Sequence, residues 1–250
     1  MAVLPDRMAL VTGTSSGIGS AVARELLQRG WRVVGVSRRP GQIESPHYSH
    51  LRLDLAETAG LIPVIEEQVG PIVSDPAMHR LALVNNAALV GLLGAIEQLD
   101  PAELLKVYAV NVAAPISLLS WLLRRSHPGA AIRIVNVSSG AAVQPFPGLG
   151  AYGSSKAALR MIGMVLGVEL DASHERGNRS PDVSILSFEP GLVDTEMQTT
   201  VRTSSREVLP MVEFFKKAAS EGHLVPPAVP ARVIADYLDG DGHPGFAEHR

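Results

Sequence analysis

Met8-Ala9-Leu10-Val11-Thr12 is an apolar strand by composition, and it runs without a break into Gly13-Thr14-Ser15-Ser16-Gly17-Ile18-Gly19. Ile18, Val22, Leu26 and Leu27 then recur at helical spacing. Strand, glycine turn, helix is the geometry of a dinucleotide site. Glycines let the backbone approach a pyrophosphate, and the helix N-terminus meets its negative charge. The spacing is Gly-x-x-x-Gly-x-Gly rather than the commoner Gly-x-Gly-x-x-Gly. The reading therefore expects Gly13, Thr14, Ser15, Ser16, Gly17, Ile18 and Gly19 to cradle a nucleotide cofactor.

The next strand spans Trp31 to Val36 and ends in Ser37-Arg38-Arg39-Pro40. A site for NAD usually closes this strand with Asp or Glu, which accepts from the adenosine ribose. Here Ser37 takes that place. A small hydroxyl followed by Arg38 and Arg39 suits a 2′-phosphate, because guanidinium binds phosphate in a bidentate, charge-assisted way. The expected cofactor is NADP(H). A third strand is read at Leu51 to Leu55, with Asp54 and Leu55 at its mouth. Asp54 is placed either to meet the adenine amino group or to cap the following helix. That helix is read from Ala56 to Val69 despite Pro63, with a connector from Pro71 to His79. A fourth strand, Leu81 to Val84, ends in Asn85-Asn86-Ala87-Ala88, whose small residues would let backbone lie against a ribose.

Asp100-Pro101-Ala102-Glu103 is a helix start, with Asp as cap, Pro in the first turn and Glu three after the cap. The helix is read to Arg125. Asn111 lies inside it, shortly before Pro115, where an interior proline kinks a helix. Asn111 is either a water-binding residue at that kink or a core amide satisfied locally. The strand Ile132 to Val137 delivers Ser138 and Ser139. A loop rich in breakers follows, and a helix is read from Ala151 to Leu170. Tyr152 and Lys156 share one face of that helix. An ammonium beside a phenol favours the phenolate and is expected to pull the tyrosine pKa down. Ser139 is placed to hold a carbonyl oxygen against that phenol. The helix is apolar almost all round, which predicts burial on several sides, one of them against a partner subunit.

Asp171 to Pro181 reads as a polar loop, and Val183 to Ser187 as a sixth strand. The segment from about 194 to 225 is long and mixed, and is expected to cover the substrate. Ala231 to Leu238 reads as a helix, and Asp239 to Arg250 as a polar tail anchored by Phe246.

Composition bounds these readings. The chain has 250 residues, 46% of them hydrophobic, a net charge of −3 and no cysteine. A single α/β domain of this length is ordinary. The slight negative charge offers no field for nucleic acid. The absence of cysteine excludes disulfides and thiol catalysis. No zinc-like ligand spacing occurs, so no metal is expected. Neither a signal-peptide core nor a membrane-spanning apolar run is read, and the expected location is cytoplasmic.

Taken together, Thr12-Gly13-x-x-x-Gly17-x-Gly19, Asn85-Asn86-Ala87, Asn111, Ser139, Tyr152-x-x-x-Lys156 and Pro190-Gly191-x-Val193-x-Thr195 resemble the short-chain dehydrogenase/reductase family across nearly the whole chain. Ala88 stands where that family usually has glycine. The resemblance implies a Rossmann-type doubly wound parallel sheet in one domain, a nicotinamide cofactor and carbonyl–alcohol interconversion. It implies that Tyr152 donates a proton, Lys156 binds the nicotinamide ribose, Ser139 holds the substrate oxygen and Asn111 positions a water. Pro190, Gly191, Val193 and Thr195 would orient the carboxamide. Within the family the chain looks most like the sepiapterin reductase group, through Gln144-Pro145-Phe146, Asp194-Thr195-Glu196-Met197-Gln198 and Gly222-His223-Leu224-Val225. That similarity implies a small-molecule carbonyl substrate, pterin or diketone, contacted by Gln144, Phe146, Met197 and Gln198. Glu248 is a candidate for the acidic residue that holds a pterin in that group. A homodimer or homotetramer is expected. The competing readings are an NAD-dependent alcohol dehydrogenase and a non-catalytic NADP(H) sensor on the same fold.

Overall fold

The computed structural model describes residues 5–175 and 182–250. Seven strands form one parallel sheet: β1 (Arg7–Thr12), β2 (Arg32–Ser37), β3 (Tyr48–Arg52), β4 (Arg80–Asn85), β5 (Ala131–Val137), β6 (Val183–Phe188) and β7 (Phe246–His249). Their spatial order is β3-β2-β1-β4-β5-β6-β7. β1 lies between β2 and β4, with Leu10 level with Val34 on one side and Leu83 on the other. The chain leaves β1 in one direction and restarts at β4 in the other. The crevice above their carboxyl ends is thus a topological switch point, the place where open α/β sheets bind ligands.

Alternation along the strands sends side chains to two cores. Met8, Leu10, Leu81, Leu83, Ile132 and Ile134 face α2 (Thr58–Val73), α4 (Ala114–Arg125) and α5 (Gly150–Glu175). Ala9, Val11, Ala82, Val84, Val135 and Val137 face α1 (Gly17–Gln28) and α8 (Ala228–Asp239). Burial on both faces is why these strands read as continuous apolar runs. α3 (Pro101–Tyr108) leads into α4. Between β6 and α8 lie α6 (Glu196–Arg202) and α7 (Val212–Ser220). Val201, Leu209 and Val212 pack with Leu149 in a third apolar cluster, with Phe146, Tyr152 and Phe215 against it.

Several boundaries differ from the sequence reading. β3 is Tyr48–Arg52, not Leu51 to Leu55. The chain turns at Asp54, whose Oδ1 accepts from Ala56 N at 3.0 Å and whose carbonyl accepts from Glu57 N. The true strand is a half-exposed edge with little apolar content, so its signal is weak. α2 runs through Pro71 to Val73. Pro63 and Pro71 both lie on its exposed face, where water can satisfy the carbonyls they leave unpaired. Asp100 caps α3, accepting from Ala102 N at 2.8 Å and Glu103 N at 3.0 Å. The long helix read to Arg125 is broken by a π turn at Ala109–Ala113 before Pro115. Pro115 has no N–H for the Asn111 carbonyl four residues back, and the turn widens instead.

By length and composition alone, Pro101–Arg125 could cross a membrane. Its apolarity has a closer cause, since Val107, Val110, Leu118, Leu119, Trp121 and Leu122 are buried in the core. α5 extends to Glu175, beyond Leu170, and the rest of the expected polar loop lies outside the described residues. The polar tail, for which no strand is read from the sequence, carries β7. Phe246–His249 pairs with β6, Phe246 level with Ile185. Gly167 on α5 makes this possible, because a Cβ there would stand 2.5 Å from Phe246 Cβ.

Candidate active site

At the switch point, β1 hands the chain to the glycine turn and β4 ends in Asn86. The Asn86 amide donates to Thr12 O at 2.9 Å, and the N–H groups of Asn86 and Ala87 both donate to Thr12 Oγ1 at 3.0 Å. Asn86 therefore clamps the two strand ends together. Gly19 packs so closely on the returning turn that a Cβ would stand 2.3 Å from Gly13 O. Ser16 occupies the cap position of α1 without capping it by its side chain. The first-turn amides are left for another acceptor. A glycine cradle with uncapped amides fits a pyrophosphate.

From this cradle a cavity of about 620 Å³ extends in both directions. At one end stand Ser37, Arg38, Arg39, Asp54 and Leu55; at the other, Ser139, Tyr152 and Lys156. Gly13, Ser15, Ser16, Gly17 and Ile18 line its floor, with Asn86, Ala87 and Ala88 beside them. Pro190, Gly191, Val193, Thr195, Met197 and Gln198 complete the wall. Thr14 and Gly19 support the turn from behind: Thr14 is buried and accepts from the Tyr48 hydroxyl at 3.1 Å. Gln144 is exposed and stands outside the cavity. Phe146 packs in the third apolar cluster rather than on the cavity wall. Glu248 is also outside, paired with Arg160 and Arg250.

The arginine end is more structured than its sequence implies. Ser37 Oγ donates to Arg39 O at 2.7 Å and lies 3.0 Å from His50 Nε2. The hydroxyl shapes the Arg38-Arg39 turn, and its proton is already engaged. Both guanidinium groups are exposed. Arg39 reaches Glu196 at 3.3 Å, and Arg38 lies 4.0 Å from Asp54. Nothing in the sequence linked His50 or Glu196 to this turn, because β3 and α6 meet it only in the fold.

At the other end, Ser139 caps a short 3₁₀ turn, accepting from Ala141 N at 3.2 Å. Lys156 is buried and donates to the Val137 carbonyl at 2.7 Å. Its Nζ is 5.7 Å from the centroid of the Tyr152 ring. Burial lowers the Lys156 pKa from the usual 10.5 to about 8. Burial also pushes Tyr152 up to about 12, against a smaller opposing effect of its hydrogen bond with Ser139. This corrects the sequence expectation that the ammonium pulls the phenol down. Desolvation wins here, because Lys156, with its own pKa at about 8, is already neutral where the phenol titrates. The consequence is a phenol that stays protonated near neutral pH.

Asn111 does not line the cavity. Its amide donates to Leu89 O at 2.8 Å and Ser155 Oγ at 2.9 Å, and its Oδ1 accepts from Leu89 N at 2.8 Å. It ties the π turn to α5 one residue before Lys156. Gln198 lines the cavity, and its Oε1 is buried without a partner among the described residues. Among the described residues no group of acidic and histidine side chains has metal-site geometry.

The chain is similar to known proteins along most of its length. The chain is 30% identical over 247 residues to a benzil reductase ((S)-benzoin forming) of Bacillus cereus, covering 95% of this chain and 96% of the other. It is 31% identical over 250 residues to a sepiapterin reductase of Meriones unguiculatus, covering 93% and 91%. The crystal structure of the KRED1-Pglu enzyme superimposes with a TM-score of 0.80 at 26% identity, over 96% of this chain and all of that one. Residues 7–206 match the model of the short chain dehydrogenase family. A glycine cradle at the switch point and a serine, tyrosine and lysine gathered at one end of the same cavity accompany that match, and the chain belongs to the short chain dehydrogenase family.

Proposed function

We propose that the protein is an NADPH-dependent carbonyl reductase that converts a ketone or diketone, benzil- or sepiapterin-like, to an alcohol. One observation carries the reading: Ser139, Tyr152 and Lys156 meet at one end of a cavity whose other end is walled by Arg38 and Arg39. When bound, a reduced nicotinamide supplies the hydride. The chain supplies position and a proton. Ser139 holds the substrate carbonyl oxygen near the phenol. Tyr152, protonated because its pKa is about 12, donates to that oxygen. The Lys156 ammonium then stabilises the phenolate left behind. This interaction is absent before the proton moves, so it favours the transition state over the ground state. Lys156 also has two donors beyond the one given to Val137, enough for ribose hydroxyls. Asn111 supports this end by fixing the π turn beside Ser155 and Lys156. We further read α6 and α7 as the cover of the substrate end, because Met197, Gln198, Val201 and Phe215 form its wall.

The 2′-phosphate assignment rests on Arg38 and Arg39 and on Ser37 where an NAD site would carry an acid. The test measures kcat/KM for benzil, sepiapterin and simple ketones with NADPH and with NADH. NADPH should be favoured by roughly tenfold or more, and Arg39→Ala should erase most of the preference. Equal efficiency with NADH in the wild type would sink the NADPH assignment.

A homodimer or homotetramer fits the outer face of α5. Met161, Val165 and Val168 follow one another along one side of it, exposed by 54%, 44% and 69%. Light scattering at micromolar concentration should give a multiple of 26.5 kDa; a monomer refutes the assembly.

A further inference from the structure

The cavity and a narrower cleft beside Ser139 share three lining residues: Ser138, Ser139 and Glu189. Glu189 follows β6 directly, and its backbone is fixed. Its N–H donates to the His249 carbonyl at 2.8 Å, and the neighbouring Phe188 ring stacks on His249 with centroids 5.1 Å apart. The carboxylate turns toward Gly140, the residue after Ser139. A Cβ at 140 would stand 2.8 Å from Glu189 Oε1, so glycine there makes the room this carboxylate occupies. The two arginines that line the cleft, Arg160 and Arg250, are both taken by Glu248. Among the described residues Glu189 makes no side-chain hydrogen bond or ion pair.

A carboxylate at the wall of a substrate site has a definite preference. A substrate lying against Ser139 covers it and strips its water. Covering it with aryl or alkyl carbon leaves a desolvated charge unmatched, whereas an N–H or O–H replaces the lost hydrogen bond. A site that holds such an acceptor discriminates strongly for the donor, because the analogue lacking it leaves the acceptor unpaired. We infer that Glu189 is a specificity-determining residue that selects carbonyl substrates bearing an N–H or O–H donor next to the reacting carbonyl. This rests on the carbonyl-reductase reading and narrows its substrate class. A plain diaryl diketone would be a tolerated substrate, not the one the site is built for.

2-Hydroxyacetophenone and 2-methoxyacetophenone test this directly, since both are aryl ketones and only the first has an O–H on the carbon next to the reacting carbonyl. The quantity read is the ratio of their kcat/KM values with NADPH. The wild type should favour 2-hydroxyacetophenone by roughly tenfold. Glu189→Ala should bring the ratio to within about twofold of unity. Glu189→Gln keeps the size and one acceptor oxygen, so it should retain a ratio of roughly threefold and guards against a misfolded alanine variant. A wild-type ratio near unity, or a ratio unchanged in both variants, overturns the assignment while leaving the reductase reading intact. The second result would mean that Glu189 acts on cofactor or backbone rather than substrate. A wild type that reduces neither compound overturns the reductase reading and the assignment with it.

Discussion

Two buried cations sit at opposite ends of the same sheet. At the amino-terminal edge, Arg133 on β5 is fully buried and answered on every side. It donates to Asp182 Oδ1 and Oδ2 at 2.8 and 2.9 Å, to the carbonyls of Asp182, Ile132 and Gly240, and to Asp241 at 3.2 Å. Arg80 joins the same group through Asp241 and the carbonyls at the end of α8. At the carboxyl-terminal edge, Lys156 is as deeply buried, yet among the described residues it has one partner, the Val137 carbonyl. A guanidinium with all donors used fixes structure: it pins β5, the Asp182 turn and the end of α8 to one another. An ammonium with donors to spare beside a cavity has capacity left for a ligand. The contrast lies in how completely each charge is satisfied, not in how deeply it is buried.

The sharpest way to break that contrast is at the phenol. Tyr152→Phe keeps the ring against Leu149 and Val201 and removes only the proton. Turnover should fall roughly a hundred- to ten-thousand-fold, with the melting temperature and NADPH affinity nearly unchanged. Retention of most activity would show that the Ser139–Tyr152–Lys156 group is only a packing contact, and the sensor reading would gain.

The pH dependence should separate the two ends next. In the proposed mechanism carbonyl reduction needs the Lys156 ammonium, so activity should decline above about pH 8, roughly tenfold per unit. Stability should move the other way. A lysine whose folded pKa lies below its unfolded one binds fewer protons when folded, so its contribution to stability rises with pH between about 8 and 10.5. Above pH about 10, Tyr152 and Tyr237, both raised to about 12, oppose it. The amino-terminal end has the opposite signature. Arg133 holds the Asp182 pKa below the usual carboxylate value, so that contribution is full above the unfolded pKa and is lost as pH falls through the folded one. Melts recorded from pH 2 to pH 10 and rates from pH 6 to pH 10 check both signs. A stability curve flat across that range would contradict the assignment at both ends.

The smallest expected effect is Arg133→Met. The acids it leaves are largely exposed and rehydrate, so the loss should be about 2–3 kcal/mol rather than the larger cost of a stranded buried charge. It should appear as a lower melting temperature with KM for NADPH unchanged. A variant of wild-type stability would mean that the network merely decorates the edge.

The readings that needed only neighbouring residues were local ones. Strand, glycine turn and helix follow one another within Met8 to Leu27, and the spacing of Tyr152 and Lys156 is fixed by one helix. The fold class was legible because short-range rules write it, and the shared face of Tyr152 and Lys156 because one helix carries both. Boundaries failed where a weak edge strand competed with apolar content, at Tyr48–Arg52 and Phe246–His249. Only the tertiary structure decided how each charge is answered. Arg133 meets Asp182 and Asp241 far along the chain, and Arg39 meets Glu196 across the cavity mouth. Asn111 is locked to Leu89 and Ser155, and Tyr152 is raised rather than lowered in pKa. Solvation and partner geometry depend on what surrounds a group in space, and a linear pattern carries no record of either.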